Sequence, residues 1–196
     1  GHTVETIPNL IIYKKRKNPL YKILKRIIGS LKWLLLKNRD IISGLEKQER
    51  FSRFDSQFFR FSTKRSTIYH IPRNLDNDYD AFVAGSDQIW NTAFLNGLDP
   101  AYYCMFEKDK NKCISYAASF ALTSIPSEHH EFVKKGLSNF RSISVREQSG
   151  VKIAKEFGFE ATNVLDPVFL LSKEEWKKVI KKQHKGKYLL VYDFSN

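Results

Sequence analysis

Arg146 stands in the run Ser144-Val145-Arg146-Glu147-Gln148, where a strand-like pattern gives way to a helical one. A guanidinium beside the free N–H groups of a helix start is a receptor for a carboxylate or a phosphate. The plainer alternative is an ion pair with Glu147 or Asp166. A second stretch, Gly85-Ser86-Asp87-Gln88-Ile89-Trp90-Asn91, follows another apolar run. Gly85 permits a tight turn and close backbone approach to a ligand. Asp87 and Asn91 offer hydrogen bonds suited to sugar hydroxyls, and Trp90 offers a stacking face. Against this stands a helix cap made by Ser86 or Asp87, with Trp90 in the core. The third stretch is Ala117-Ala118-Ser119-Phe120-Ala121. Small residues around Ser119 either admit a ligand to the backbone or simply pack closely.

Other polar residues point to less. His129 and His130 are adjacent on a helical stretch, so they face different directions and do not chelate as an i, i+4 pair would. Cys104 and Cys113 lack a CxxC spacing, and two cysteines make neither a disulfide framework nor a four-cysteine zinc site. There is no P-loop and no GxGxxG, so nucleotide binding has no direct support. No cofactor or metal is expected from these residues.

The elements that must position these residues read as alternating strands and helices. Strand patterns fall at residues 3–7, 79–84, 112–118, 141–145 and 163–165. Helical patterns fall at 44–59, 127–137 and 147–157, the last closed by Gly158. Such alternation predicts an α/β fold, a parallel Rossmann-like sheet with helices on both faces. The three polar stretches then sit at the carboxyl ends of strands, where α/β sheets bind ligands. After Pro167 the texture changes. Ser172 and Glu175 form a capping box ahead of Trp176, Val179 and Ile180, and residues 187–193 read as a further apolar strand. The expected division is a domain over residues 1–170 and the start of a second over 171–196.

Charge is concentrated at one end. The net charge is +12, and residues 1–39 hold ten Lys and Arg against a single acid, Glu5. A nucleic-acid protein would spread that footprint over its groove-facing surface, so no nucleic-acid partner is expected. Leu20, Leu24, Ile27, Ile28, Leu31, Leu34 and Leu35 recur at helical spacing behind Lys14, Lys15, Arg16 and Lys17. This is a basic amphipathic pattern. It suits either an anionic membrane surface, with residues 14–17 in contact, or packing against the core. No apolar run reaches the length of a membrane span. A cytoplasmic chain, peripheral at the inner face of the cell membrane, is the expectation.

Read in order, several segments resemble the polysaccharide pyruvyl transferase family. They are Tyr79-Asp80-Ala81-Phe82-Val83-Ala84-Gly85-Ser86-Asp87-Gln88-Ile89-Trp90-Asn91, Ile114-Ser115-Tyr116-Ala117-Ala118-Ser119-Phe120, Ile143-Ser144-Val145-Arg146-Glu147, and Val164-Leu165-Asp166-Pro167 followed by Trp176. Gly1-His2-Thr3-Val4-Glu5 resembles the family's second strand. The resemblance implies a two-domain fold similar to the B-type glycosyltransferases, of which this chain is mostly the N-terminal half. It implies transfer of a pyruvyl group from phosphoenolpyruvate to a pair of sugar hydroxyls, forming a pyruvate ketal in a cell-surface polysaccharide built on a lipid carrier. On that basis Arg146 holds the donor's carboxylate or phosphate. Gly85, Ser86, Asp87, Trp90, Asn91 and Ser119 line the substrate cleft, and a general acid comes from the second domain.

The sequence departs from the family pattern in places. Ala121 stands where the family usually has Gly, Val168 where Thr is common, and the family's opening strand and Asn-Tyr-Gly-type turn do not precede residue 1. The chain alone is therefore expected to be inactive. Two other functions compete: a glycosyltransferase-like enzyme using a nucleotide-sugar donor, and a non-catalytic membrane-associated module.

Overall fold

The computed structural model describes residues 3–7, 9–10, 39–63, 66–67, 70–71, 75–180, 186–187, 189 and 191. The basic amphipathic stretch and residues 14–17 lie outside the described residues, as does most of the apolar run at 187–193. In chain order the elements are β1 (Asn9–Leu10), α1 (Arg39–Phe58), β2 (Ser66–Thr67), β3 (Phe82–Ala84), β4 (Cys113–Ser115), α2 (His130–Leu137), β5 (Ser144–Val145), α3 (Gln148–Glu156), β6 (Thr162–Asn163) and α4 (Lys173–Val179). Short 3-10 turns fill much of the space between β3 and β4.

Strands and α-helices alternate from β4 to α4, whereas only 3-10 turns separate β2, β3 and β4; among the described residues every strand pair is parallel. The single broad sheet is not seen. Among the described residues the strands form three two-stranded pairs, β1–β2, β3–β4 and β5–β6. Isolated bridges at Ile114–Ser142 and Ala118–Val145 tie β4 to the β5 segment. Two physical reasons account for the difference. The strands are only two or three residues long. Between β4 and β5, side chains also supplement the ladder: Ser144 Oγ donates to the Ser115 carbonyl at 2.7 Å, and Ser115 Oγ accepts from Ser144 N at 2.9 Å. Among the described residues, helices on both faces are not seen either. Val83 on β3 is 62% exposed and its neighbour Ile114 on β4 is 36% exposed, so one face of that pair is uncovered. The pattern expected at residues 3–7 reduces to one bridge, Thr6–Phe61.

The covered face holds the core. Phe82 and Ala84 alternate with Val83 and point inward, as the two-residue period of a strand requires. Trp90 is fully buried, stacked on Tyr103 with ring centroids 5.4 Å apart, and flanked by Phe120 at 5.2 Å and Phe140 at 5.5 Å. Aromatic pairs of this kind add about 0.5–1.5 kcal/mol each beyond area burial. From α2, Val133, Gly136 and Leu137 face this cluster; from α3, Gly150, Ile153 and Ala154 pack beneath β5. The capping box expected at Ser172 and Glu175 is formed in full and starts α4, which buries no residue. Around it Leu165, Phe169, Leu170 and Ile180 are at least half exposed.

Candidate functional site

The carboxyl ends of β3, β4, β5 and β6 meet, and the loops leaving them stay zipped together beyond the strands. Tyr116 N donates to the Ala84 carbonyl at 2.9 Å, Ser119 N to the Asp87 carbonyl at 3.0 Å, and Trp90 N to the Ser119 carbonyl at 3.1 Å. On the other side Arg146 N donates to the Ala118 carbonyl at 3.2 Å, and Val164 N to the Val145 carbonyl at 2.9 Å. Bending out of a strand this sharply uses left-handed backbone. Gly85 has φ 138°, and a Cβ there would lie 2.0 Å from the Tyr116 carbonyl oxygen, so only glycine fits. Asp87, Ala117 and Ala121 also have positive φ, at 67°, 52° and 48°. Such conformations cost an L-residue about 1–2 kcal/mol, and they collect at functional sites.

Arg146 is the cation of this junction. Its Nη1 donates to Asp166 Oδ2 at 2.9 Å, and its Nη2 lies 4.0 Å from Asp87 Oδ1. The Arg146 side chain is 29% exposed and that of Asp87 86% exposed. The other oxygen of Asp166 accepts Val168 N at 3.0 Å. The Val168 N–H and then the Arg146 guanidinium hold the Asp166 carboxyl below the ordinary aspartate range. Asp166 thus stays ionised and orients the guanidinium, while the second edge of that guanidinium faces a loosely engaged, solvated carboxylate. The ion pair weighed as the alternative for Arg146 is present, and it involves Asp166.

Glu147 does something different. Its Oε1 accepts from Phe120 N at 2.8 Å and from Ala121 N at 3.1 Å. One carboxylate oxygen therefore pins the β4 exit loop to the start of α3. Neighbouring residues of opposite charge serve opposite sides of the junction.

The remaining candidates separate into two groups. Gly85 is exposed and Ser86 half-buried, and both lie at the junction beside Asp87. Trp90, Asn91 and Ser119 are buried. Trp90 donates through Nε1 to the Tyr102 carbonyl at 3.0 Å, and its ring is enclosed by other aromatics, leaving no face for a sugar. Asn91 Nδ2 donates to Gln88 Oε1 at 2.8 Å, and its Oδ1 accepts Ala93 N at 3.0 Å, so its amide organises a turn. No helix begins at Ser86 or Asp87; Asp87 Oδ1 accepts the adjacent Gln88 N at 2.8 Å.

Sequence reasoning treated Glu147 only as an ion-pair partner for Arg146. No signal in the order of residues identifies the loop that its carboxylate reaches. Elsewhere, Cys104 and Cys113 are free and buried, and the neighbouring Cys113 thiol together with burial pushes the Cys104 thiol up. Among the described residues no three His, Cys, Asp or Glu side chains are grouped to hold a metal ion, and no helix is long and apolar enough to cross a membrane.

Comparison with known proteins gives a family match. The family model described as polysaccharide pyruvyl transferase matches residues 4–196. No curated protein and no solved structure matches the chain.

Proposed function

The chain belongs to the polysaccharide pyruvyl transferase family, and on that premise we propose that it serves transfer of a pyruvyl group from phosphoenolpyruvate to two hydroxyls of a saccharide. In this reaction two sugar oxygens bond to the enol carbon and give up their protons, one to the neighbouring methylene and one to the phosphate, which leaves as its bond to that carbon breaks. A ketal results. The donor brings a carboxylate and a phosphate, and its binding calls for an oriented cation. The observation that carries this reading is the unequal engagement of Arg146, with one nitrogen 2.9 Å from Asp166 and the other 4.0 Å from exposed Asp87. An incoming anion takes the place of Asp87 on the second nitrogen without disturbing the first. Partial burial strengthens that contact relative to open water. Asp87, released, turns with Gly85 and Ser86 toward the acceptor's hydroxyls.

Two broader proposals accompany this one. The parallel pairs β3–β4 and β5–β6, bridged to each other, are read as part of a Rossmann-like domain similar to the N-terminal half of a B-type glycosyltransferase, with a second unit starting near residue 171. The acceptor is read as a lipid-linked saccharide at the cytoplasmic face of a membrane, which accords with the cationic stretch over residues 1–39.

Calorimetry with phosphoenolpyruvate tests the donor site. Arg146→Ala is expected to weaken binding at least about tenfold, or about 1.4 kcal/mol, with the far-ultraviolet circular dichroism unchanged. Unaltered affinity in that variant would reduce Arg146 to a structural ion pair. A nucleotide sugar that binds where phosphoenolpyruvate does not would replace the donor assignment.

A further inference from the structure

Helix α1 carries a face that the core does not use. Phe51, Phe54 and Phe58 are 59%, 45% and 44% exposed, and Phe59 and Phe61, just beyond the helix, are each 45% exposed. Four of these rings touch in a chain: Phe54 and Phe58 lie 4.6 Å apart, Phe54 and Phe59 6.2 Å, Phe59 and Phe61 5.8 Å. A contiguous exposed aromatic patch on a folded chain marks an interaction surface.

The polar residues of the helix say what it meets. At about 100° per residue, Lys47, Arg50, Phe51, Phe54 and Phe58 share one side over residues 47–58, while Glu49, Ser52, Arg53 and Ser56 take the other. Glu49 and Arg53 are paired with each other on that far side, and Asp55 at the flank is half-buried. The aromatic side thus carries two exposed cations near its N-terminal end. The helix also begins at Arg39, where the stretch holding ten basic residues and one acid ends. Phenylalanines that seat at the boundary of headgroup and acyl chain, bordered by Lys and Arg that reach phosphate, make an interfacial anchor.

We infer that the Phe51–Phe54–Phe58 side of α1, with Phe59 and Phe61, docks on an anionic lipid surface, with Lys47 and Arg50 at the headgroups. The inference rests on the membrane-face reading above and adds an apolar contact that the basic residues at 14–17 do not supply.

The test is co-sedimentation of the full chain with mixed phosphatidylcholine and phosphatidylserine vesicles. Phe54→Ser combined with Phe58→Ser is expected to lower partitioning about tenfold while circular dichroism and phosphoenolpyruvate binding stay as in the parent. In a second measurement, Phe54→Trp gains quenching by brominated lipid beyond that of the parent chain. Sedimentation unchanged by the double serine variant, or a Trp at 54 that bromine does not reach, overturns the anchor. If replacing Lys14, Lys15, Arg16 and Lys17 by Ser abolishes binding while the Phe variants do not, the anchor fails and the membrane-face reading stands. If the parent chain binds no anionic vesicle at low salt, both fail. Concentration-dependent dimers that the Phe variants dissociate, without a change in vesicle binding, assign the patch to a second copy and overturn the lipid assignment.

Discussion

Ala121 holds φ 48° with its N–H bonded to the Glu147 carboxylate. Alanine has a Cβ that crowds this conformation, and glycine does not. Ala121→Gly is therefore expected to raise stability by about 0.5–1 kcal/mol, the relief of strain outweighing the extra freedom of the unfolded chain. Urea denaturation measures this directly, and a fall in the midpoint would show the turn is not strained. Asp166 supports a second expectation. Its pKa is lowered in the folded chain by the Val168 N–H and by Arg146. A depressed carboxyl stabilises the fold fully above its unfolded value, and that contribution is lost as pH falls through the lower folded value. Wild-type chain and Asp166→Asn should thus differ in stability at neutral pH. The gap should close below the ordinary value of 3.8. An unchanging gap across an acid titration would mean the carboxylate's charge is irrelevant. Both residues were visible in the sequence. Arg146 and Asp166 were candidate partners twenty positions apart, and Ala121 stood where glycine is usual. The role of Glu147 was not visible, because nothing in the order of residues says which loop its carboxylate reaches.

On the level of elements, α2 meets Tyr103 through Gly136. A Cβ at that position would lie 2.2 Å from the Tyr103 ring. The ring is itself stacked on Trp90, and its hydroxyl donates to the Gly97 carbonyl at 3.2 Å. It has nowhere to retreat. Alanine is normally better than glycine inside a helix by about 1 kcal/mol. Gly136→Ala should nevertheless destabilise the chain by about 1–3 kcal/mol, as overpacking does, and thermal unfolding would read it. A stabilised variant would mean that α2 shifts freely. The elements differ in how far sequence foretold them. The helical pattern at 127–137 became a 3-10 turn followed by α2, and the pattern at 147–157 became α3, because an amphipathic period is a local property. The capping box at Ser172 and Glu175 was legible for the same reason. The apolar runs were longer than the strands they formed: six residues at 79–84 became three in β3, and seven at 112–118 became three in β4. Pairing depends on partners remote in sequence, and apolarity records burial rather than ladder length.

The molecule as a whole departs most from expectation where coverage is concerned. Alternating patterns imply two covered faces, yet Val83 and Ile114 remain open among the described residues. Sequence records that these side chains are apolar and not which neighbour reaches them. Trp90 makes the converse point. Its place in a loop at a strand end made it a stacking candidate, and only three-dimensional packing shows four aromatic rings closing on one another. The serine pair between β4 and β5 carries a consequence of its own. Ser115 and Ser144 each use both the hydroxyl and the main chain to bind the other, across 29 residues of sequence. If either strand slid by one residue, its hydroxyl would turn to the opposite side and leave buried donors and acceptors unmatched. A slipped chain therefore loses several bonds at once, so the pair acts as a parity check on register. It rejects misaligned assemblies of the two halves that apolar packing alone would tolerate.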